Sequence, residues 1–301
     1  MVTPAERKNI VDRSIIVCGC GRSGTTIMGK LVASLETVDY FYEPLYLNSH
    51  LTSMSTIDAN TWNSLFESYL YEELLLNSLA GRNLNLNKND DSSIYHYKTP
   101  DLIDSRLATS GRRNELEETS MNSTICFKLP DSLFLVPELR TRYPGLRAVA
   151  MVREFNDTMD SLIKKGWFSD ATLELGASGP MSAMHFTDNH RIPFWVKELE
   201  IDNWIELSEI DRTAWYYLAT HRFILNNIDS FYVVNYDTLI EEPSQVFGNL
   251  CTFFDLRAGR LTAKLLGEVS RRPKETENYK EKVSPVLLSF IEDILQKLNF
   301  E

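Results

Sequence analysis

One stretch of this sequence combines residue types that bind a phosphate-like anion. It reads GCGRSGTT at residues 19–26, after the apolar run IIVC, and its candidate anion-binding residues are Gly21, Arg22, Ser23, Gly24, Thr25 and Thr26. Glycines let the chain turn sharply and bring backbone N–H groups close to an anion, and the helix that should follow adds its positive end. We therefore predict an anion site. A glycine turn without a ligand is the alternative.

The same loop lacks one part of a nucleoside-triphosphate site. Its G-x-x-x-x-G spacing is that of a phosphate-binding loop, but Thr25 and Thr26 stand where such a loop carries Lys-Ser or Lys-Thr. The absent lysine would reach the β- and γ-phosphates. We therefore expect a phosphate-like ligand other than a triphosphate, with an aberrant P-loop kinase or nucleotide hydrolase as the alternative.

A second candidate anion site follows a later apolar strand. In AMVREFNDTMDSL, Arg153 ends the strand and Ser161 comes eight residues later, in the next predicted helix. Strand ends of an open parallel sheet face the ligand crevice, and an arginine there can make a forked contact with an anion. The pair suggests a ligand with two separated phosphate-like ends. A surface ion pair is the alternative.

A carboxylate follows the second predicted strand, in FYEPL. Glu43 would lie at the same sheet edge as the anion loop, where it could take a proton from an incoming nucleophile. Pairing with Arg22, or capping of a loop, is the alternative interpretation.

These residues need a scaffold, and the hydrophobic pattern predicts one. Apolar runs predict strands at 15–19, 38–45, 123–131, 146–154 and 230–240, the segment SFYVVNYDTLI. Helical spacing predicts helices at about 24–35, 61–80, 132–143, 156–168, 205–228, 243–255 and 284–298. This alternation predicts a single α/β domain over residues 1–301, with a central, mostly parallel sheet flanked by helices on both faces.

Three segments of that domain would carry the function. Residues 14–35 would form the first anion unit and 146–168 the second. Residues 169–200 lack clear periodicity, and irregular chain of such length is more often a functional lid over a pocket than a linker. Aromatic residues that could line the pocket are Trp167, Phe186, Phe194 and Trp195.

Composition and charge exclude several classes of protein. The formal net charge of −11 argues against a general nucleic-acid binder, which would need a basic footprint. The first residues, MVTPAERKNIVDRS, lack a signal-peptide core, and no apolar run approaches the roughly 20 residues that span a bilayer. We expect a cytoplasmic protein that binds neither nucleic acid nor membrane. The four cysteines have no zinc or disulfide spacing, and we predict no metal site.

Taken together, the motifs resemble those of sulfotransferases that use 3′-phosphoadenosine-5′-phosphosulfate (PAPS). GCGRSGTTIMGKLVAS is similar to the family's 5′-phosphosulfate loop, in which the lysine is absent and Arg or Lys stands at the position of Arg22. VAMVREFNDTMDSL is similar to its 3′-phosphate motif, and FYEPLY to the Glu-Pro segment of carbohydrate and tyrosyl-protein sulfotransferases. VVNYDTLIEEPSQVFGNLCTFFDL is similar to a structural segment of the family. The resemblance, from about residue 15 to 256, implies the P-loop-like sulfotransferase fold.

The resemblance also implies which residues bind PAPS. The loop at 21–26 would hold the 5′-phosphosulfate, and Arg153 with Ser161 would hold the 3′-phosphate. In the family a basic loop near the C-terminus closes over that phosphate. Its loose counterpart here is SRRPKE, with Arg271, Arg272 and Lys274.

A catalytic set follows from the same resemblance. Arg22, with help from Lys128 of FKLPDS, would neutralise charge on the leaving phosphate. The cytosolic branch of the family uses a histidine base in the corresponding segment, and FKLPDS has no histidine, which favours Glu43 as the base. Other candidates for the base are His96, His185 and His190.

The expected reaction is sulfuryl transfer from PAPS to a hydroxyl or amine of a small-molecule acceptor, which could be cationic. We expect a role in secondary metabolism. One candidate class of acceptor is the guanidinium alkaloids tailored by saxitoxin-pathway sulfotransferases. The alternatives are a P-loop kinase or nucleotide hydrolase, and a non-catalytic nucleotide-binding protein.

Overall fold

A parallel sheet forms the centre of the computed structural model, which describes residues 2–174, 184–187, 189–269 and 276–298. Its strands and those of a smaller pair are β1 (Ile15–Gly19), β2 (Val38–Tyr42), β3 (Thr124–Lys128), β4 (Arg147–Val152), β5 (Met184–Phe186), β6 (Arg191–Pro193) and β7 (Tyr232–Asn235). The five-stranded sheet has the order β2-β3-β1-β4-β7, with all neighbours parallel. The short strands β5 and β6 pair antiparallel.

Helices make up most of the chain between the strands. They are α1 (Pro4–Asp12), α2 (Thr25–Ala33), α3 (Leu45–Thr52), α4 (Ala59–Ser68), α5 (Asn77–Leu79), α6 (Pro100–Leu107), α7 (Arg113–Ser120), α8 (Val136–Arg142), α9 (Phe155–Ile163), α10 (Asp170–Leu173), α11 (Ile201–Glu206), α12 (Glu209–Asn226), α13 (Tyr236–Glu241), α14 (Pro243–Phe254), α15 (Thr262–Glu268) and α16 (Pro285–Lys297). A π-helix, Tyr69–Leu76, joins α4 to α5. Short 3-10 helices lie at Ile94–His96, Pro130–Leu135, Glu198–Glu200, Ile228–Ser230 and Tyr279–Glu281.

Helices cover both faces of the sheet, and the side chains of β1 show why. Ile16 and Cys18 belong to a hydrophobic cluster with residues of α1, α4 and α8. Ile15 and Val17 belong to a second cluster, with residues of α2 and α14. Successive side chains of a strand point to opposite faces, so a strand that is buried on both faces must be apolar throughout. The run IIVC satisfies this requirement.

The prediction of a single α/β domain with a central, mostly parallel sheet between helices is confirmed. Several boundaries differ from the sequence pattern. The strand predicted for SFYVVNYDTLI ends at Asn235, because Tyr236–Glu241 form α13, which the side chain of Asn235 caps. The strand predicted at 38–45 ends at Tyr42, because Glu43 has a φ of 42° and turns the chain. The helix predicted at 205–228 is divided, because Leu207 is extended and Ser208 accepts a hydrogen bond from the N–H of Asp211 to cap α12.

Seven helices of the described residues lie wholly where no helix is predicted: α1, α3, α6, α7, α10, α13 and α15. Each has four to nine residues and buries few apolar side chains, such as Ile10 and Val11 in α1 or Ile103 in α6. With so few buried apolar positions, the hydrophobic pattern of these segments shows no helical period.

The parallel direction of the strands brings the predicted site residues to one edge of the sheet. Tyr42 of β2 and Val17 of β1 both pair with Lys128 of β3, so these three strands end at nearly the same level. Arg153 follows β4 directly at that edge. No helix in the described ranges combines the length and the apolarity needed to cross a bilayer.

Candidate functional site

Two glycines shape the loop between β1 and α2. Gly19 has a φ of 124°, and a Cβ there would lie 2.3 Å from the carbonyl oxygen of Met151 in β4. Gly24 has a φ of 92°, and a Cβ there would lie 2.2 Å from the Tyr236 ring. Only glycine satisfies both the left-handed backbone and the close contact. The loop is therefore pressed against β4 on one side and against Tyr236 on the other.

The loop leads into the N-terminus of α2, where Gly24 is the N-cap residue. Among the described residues, no side chain makes a capping hydrogen bond there. The first amides of a helix have no partner inside it, and with the positive end of the helix dipole they favour an anion. Thr25 is buried and Thr26 half-buried at this end of the helix. The backbone and side-chain donors predicted for an anion therefore lie together.

Ser23 has a different environment from its neighbours. Its side chain is fully buried, its hydroxyl lies 3.0 Å from the carbonyl oxygen of Met151, and its N–H donates to the carbonyl oxygen of Cys20 at 3.2 Å. These contacts fasten the loop to β4. The sequence pattern places Ser23 among the donors to the anion, and the structure shows its donors engaged by the protein.

The two predicted anion motifs lie side by side. Arg22 has a left-handed backbone with a φ of 66°, and its Nε donates a hydrogen bond to Oγ of Ser161 at 3.0 Å. Arg153 donates from Nη1 to the carbonyl oxygen of Arg22 at 3.3 Å and pairs through Nη2 with Asp157 at 3.0 Å. Its guanidinium lies 4.6 Å from the centre of the Tyr236 ring. The loop and the strand-end arginine thus form one cationic region.

A buried side-chain donor of this region has no partner among the described residues. Nε of Arg153 is buried, and no group in the described parts of the chain accepts its hydrogen. A buried donor without an acceptor costs about 1–3 kcal/mol. A bound anion at this position would supply the missing acceptor.

A buried lysine joins the loop to the predicted base. Nζ of Lys128 lies 2.5 Å from Oε1 of Glu43 and donates to Oγ1 of Thr26 at 3.2 Å. It also lies 4.1 Å from the centre of the Tyr42 ring. The Lys128 side chain is 3% exposed, whereas that of Glu43 is 40% exposed. The carboxylate therefore reaches solvent beside the end of the anion loop, and its partner is Lys128 rather than the Arg22 of the sequence-based alternative.

The backbone of Glu43 supports this placement. Its φ of 42° is left-handed, a conformation that a residue with a side chain adopts only at a cost in free energy. Its N–H donates to the carbonyl oxygen of Lys128 at 3.0 Å, one residue beyond the paired ends of β2 and β3. The sheet thus holds both partners of the ion pair by their main chains.

Sequence reasoning missed a second carboxylate at this edge. Oδ1 of Asp131 accepts a hydrogen bond from the Tyr216 hydroxyl at 2.7 Å, and the same hydroxyl oxygen accepts one from the N–H of Gly21 at 2.9 Å. Burial raises the pKa of the Asp131 carboxyl to about 6, and the nearby charge of Glu43 acts in the same direction. The one signal in the sequence was an acidic residue three positions after a buried strand.

Asp131→Asn is expected to flatten the pH dependence of thermal stability. A carboxyl whose pKa is raised in the folded state stabilises the fold while it is protonated, and this contribution is lost as the pH rises through about 6. The amide keeps the acceptor for Tyr216 but cannot ionise. Between pH 5 and 7.5 the loss amounts to about 1.4 kcal/mol by the linkage relation. Melting curves should show the variant gaining about 3–6 °C on the wild type over this range, and a constant difference would contradict the shift.

Aromatic side chains border the site. A Cβ on Gly21 would lie 2.4 Å from the Trp167 ring, so this indole, 39% exposed, packs directly on the anion loop. Trp195 lies 5.1 Å from the Tyr216 ring and 6.0 Å from that of Phe134. Two of the four aromatics predicted for an acceptor pocket, Trp167 and Trp195, are thus next to residues of the site.

The three histidines predicted as other candidate bases contact residues near them in sequence, and the predicted basic residues near the C-terminus lie outside the described ranges. Nε2 of His96 donates to the carbonyl oxygen of Asp90, and Nε2 of His185 to that of Phe194. His190 forms an isolated bridge with Glu174. Arg271, Arg272 and Lys274 lie outside the described residues, as does part of the predicted lid at 169–200. Across the described ranges, no group of three or more His, Cys, Asp or Glu side chains could hold a metal ion.

Comparison with known proteins gives a match to one family. The model of the Sulfotransferase family (Sulfotransfer_3) matches residues 14–259. This range includes the anion loop, Glu43, Lys128 and the Arg153 motif. No curated protein sequence matches this chain.

Among solved structures, several distant ones are similar. A sulfotransferase from Mycobacterium avium is 12% identical, with a TM-score of 0.47, over 96% of this chain and 78% of its own. The sulfotransferase domain from the curacin biosynthetic pathway is 14% identical, with a TM-score of 0.49, over 96% and 98%. The sulfotransferase domain from the Synechococcus PCC 7002 olefin synthase is 14% identical, with a TM-score of 0.47, over 96% and 94%.

Proposed function

This chain belongs to the sulfotransferase family, and on that premise we propose that it transfers a sulfuryl group from PAPS to a hydroxyl or amine of a small-molecule acceptor, with Glu43 as the base. The observation that carries the proposal is the position of Lys128. Its ammonium contacts Thr26 of the anion loop and Glu43 at once. The group that would bind the donor and the group that would deprotonate the acceptor are therefore one side chain apart.

The donors of the site fit a ligand with two anionic ends. The loop and the N-terminus of α2 would hold the 5′-phosphosulfate of PAPS. Arg153, with its unused Nε, and Ser161 would hold the 3′-phosphate. Arg22 lies between the two groups, because it belongs to the loop and contacts Ser161. Arg271 and Arg272 remain proposed ligands of the 3′-phosphate.

The chemistry of transfer sets what each residue must do. When bound, PAPS supplies a sulfuryl group whose bond to the phosphate oxygen breaks as the acceptor oxygen or nitrogen bonds to sulfur, with the electron pair leaving on the bisphosphate. Glu43 would take the acceptor proton as the new bond forms. Its exposed carboxylate suits this role, because the acceptor must arrive from solvent.

Charge stabilisation falls to Lys128 and Arg22. Negative charge increases on the oxygen between sulfur and phosphorus as the bond breaks, and a fixed cation there favours the transition state over the ground state. Lys128 is buried and held by Thr26 and Glu43, so its ammonium needs no reorganisation during the step. Proton transfer from the acceptor to Glu43 would at the same time neutralise the partner of Lys128, so that the charge of the ammonium would act more strongly on the leaving group.

The proposed acceptor is a small molecule, and two carboxylates at the site could contact a cationic group on it. Two carboxylates, Glu43 and Asp131, lie at the carboxyl edge of β2 and β3. Exposed aromatic surface is close by in sequence and space, with Tyr46 at the start of α3 62% exposed and Trp167 on the loop. Aromatic faces and carboxylates together attract cations. A role in secondary metabolism, with guanidinium alkaloids as one acceptor class, is part of this proposal.

Stabilisation by the desulfated product, 3′-phosphoadenosine-5′-phosphate (PAP), tests the donor. PAP at 100 times its dissociation constant should stabilise the fold by about 2.7 kcal/mol, which raises the melting temperature by several degrees. Mg²⁺–ATP run in parallel should have a smaller effect, because the loop lacks the lysine that reaches the β- and γ-phosphates.

Each other result has a definite meaning. Stabilisation by Mg²⁺–ATP but not by PAP would support the kinase or hydrolase alternative. Stabilisation by PAP without transfer from PAPS to any of a panel of hydroxyl and amine acceptors would support a non-catalytic binding protein.

A further inference from the structure

We propose that Tyr216 and Asp131 are positioning residues that clamp the anion loop beside Arg22 and so set the affinity for the donor. The proposal rests on the proposed function, since the ligand of the loop is taken to be the bisphosphate end of PAPS. Neither residue is part of the motifs that resemble the family's anion sites. Both act through Gly21.

The clamp is a chain of two hydrogen bonds. The N–H of Gly21 donates to the Tyr216 hydroxyl oxygen at 2.9 Å, and the Tyr216 hydroxyl donates to Oδ1 of Asp131 at 2.7 Å. Tyr216 is 1% exposed, so water does not compete for these bonds. With its hydrogen directed at Asp131, the hydroxyl can offer only its lone pair to the loop, so the carboxylate determines which way the tyrosine bonds.

The residue next to Gly21 explains why a clamp is needed. Arg22 is left-handed, with a φ of 66°, which costs free energy for a residue with a side chain. Tyr216 holds the N–H before this residue, and Arg153 holds its carbonyl oxygen at 3.3 Å. Fixed from both sides, Arg22 directs its Nε to Ser161 at 3.0 Å. Without the clamp, the loop would relax, and Arg22 would leave the space between the two anion groups.

The clamp joins parts of the chain that are far apart in sequence. Gly21 and Tyr216 are 195 positions apart, and Tyr216 and Asp131 are 85 apart. Asp131 lies only three residues after Lys128, in the 3-10 helix Pro130–Leu135. The same segment of chain therefore carries Lys128, the cation of the proposed transfer site, and Asp131, which anchors the loop through Tyr216. This fixes the position of one relative to the other.

Tyr216→Phe is the first variant to test, with PAP affinity and melting temperature measured together. We expect the dissociation constant for PAP to rise about tenfold, the effect of losing a bond of about 1.4 kcal/mol. Tyr143→Phe is the matched control, because Tyr143 is also fully buried and also donates to a carboxylate, that of Glu67, at 3.1 Å. Both variants should melt at lower temperature, but only Tyr216→Phe should bind PAP more weakly.

Two substitutions at Asp131 separate hydrogen bonding from charge. Asp131→Asn keeps an acceptor oxygen for the tyrosine, and PAP affinity should stay within about threefold of the wild type. Asp131→Ala removes the acceptor, and the affinity should fall about as far as in Tyr216→Phe. Equal losses in Asp131→Asn and Asp131→Ala would overturn the proposed role of the hydrogen bond.

A double-mutant cycle shows whether the clamp acts through Arg22. In an Arg22→Ala background, Tyr216→Phe should have little further effect on PAP affinity, because the side chain that the clamp positions is already absent. Full additivity of the two changes would overturn the proposal. So would a Tyr216→Phe protein whose PAP affinity is within twofold of the wild type while its melting temperature falls like that of Tyr143→Phe.

Hydrogen exchange of the ligand-free protein keeps the clamp testable if the wild type binds no PAP. The amides of residues 19–26 should exchange at least tenfold faster in Tyr216→Phe than in the wild type. In Tyr143→Phe their exchange rates should equal those of the wild type. Faster exchange in a protein that does not bind PAP would retain the clamp and reject the proposed donor. Unchanged exchange would reject the clamp, whatever the ligand.

Discussion

Glu43→Gln is expected to lower the turnover number by about 10²–10⁴-fold, the usual contribution of a general base, while the dissociation constant for PAP stays within a few-fold of the wild type. Glutamine preserves the shape of the side chain and can still contact Lys128 through its amide oxygen. It cannot accept a proton from the acceptor. Single-turnover rates with PAPS and PAP binding by calorimetry would separate the two effects.

Glu67→Gln is the matched control for this experiment. Glu67 is a buried carboxylate of α4 that accepts a hydrogen bond from Tyr143, on a helix that packs against α1 and α3. Its replacement should leave turnover unchanged. If Glu43→Gln also keeps full turnover, Glu43 is not the base, and His96, His185 and His190 become the variants to make next.

Lys128→Met is expected to lower the turnover number by about 10²–10³-fold, because removal of one preorganised charge contact costs roughly 3–4 kcal/mol in a transition state. Methionine fills the space of the buried aliphatic chain without its charge. Glu43, 40% exposed, remains hydrated after its partner is removed. The fold should therefore survive the change, and the loss should appear in kcat far more than in PAP affinity.

Lys98→Met provides the comparison for loss of a buried ammonium. Lys98 is 7% exposed and donates to the carbonyl oxygen of Leu35 at 2.9 Å, before the start of β2 and so at the opposite edge of the sheet. Burial lowers the pKa of this ammonium to about 8. Its replacement should change stability but not turnover. Equal losses of turnover in the two lysine variants would mean that Lys128 contributes only to the fold.

The fold could be predicted largely from local patterns. The apolar run IIVC must be buried on both faces, and four further apolar runs alternate with amphipathic segments, which is sufficient for a parallel α/β sheet between helices. Short helices such as α6 and α7 could not be predicted, because the single buried apolar residue of each does not establish a period. The break between α11 and α12 could not be predicted either, because Ser208 caps α12 only when the chain before it is extended.

The candidate site, too, could be predicted only in part. Residues that lie close in sequence were recognisable together, as in the loop at 19–26 or the spacing of Arg153 and Ser161. Contacts between segments were not. The pattern offered Arg22 as a partner for Glu43, whereas the structure pairs Glu43 with Lys128, because the register of β2 and β3 places Tyr42 beside Lys128.

By itself, the sequence determined the strand–loop–helix unit at 15–33, since an apolar run, a glycine-rich turn and an amphipathic segment follow one another, and from the glycines and donors of the turn it predicted an anion site. It also predicted that the candidate site lies at the carboxyl edge of the sheet, because parallel strands end together. Only the tertiary structure decided that Lys128 contacts both Thr26 and Glu43, and that the Ser23 hydroxyl bonds to Met151 of β4. The same is true of the hydrogen bonds from Gly21 to Tyr216 and from Tyr216 to Asp131. The reason is physical: a hydrogen bond between residues 195 positions apart depends on the packing of whole helices and strands, and no local period or spacing records it.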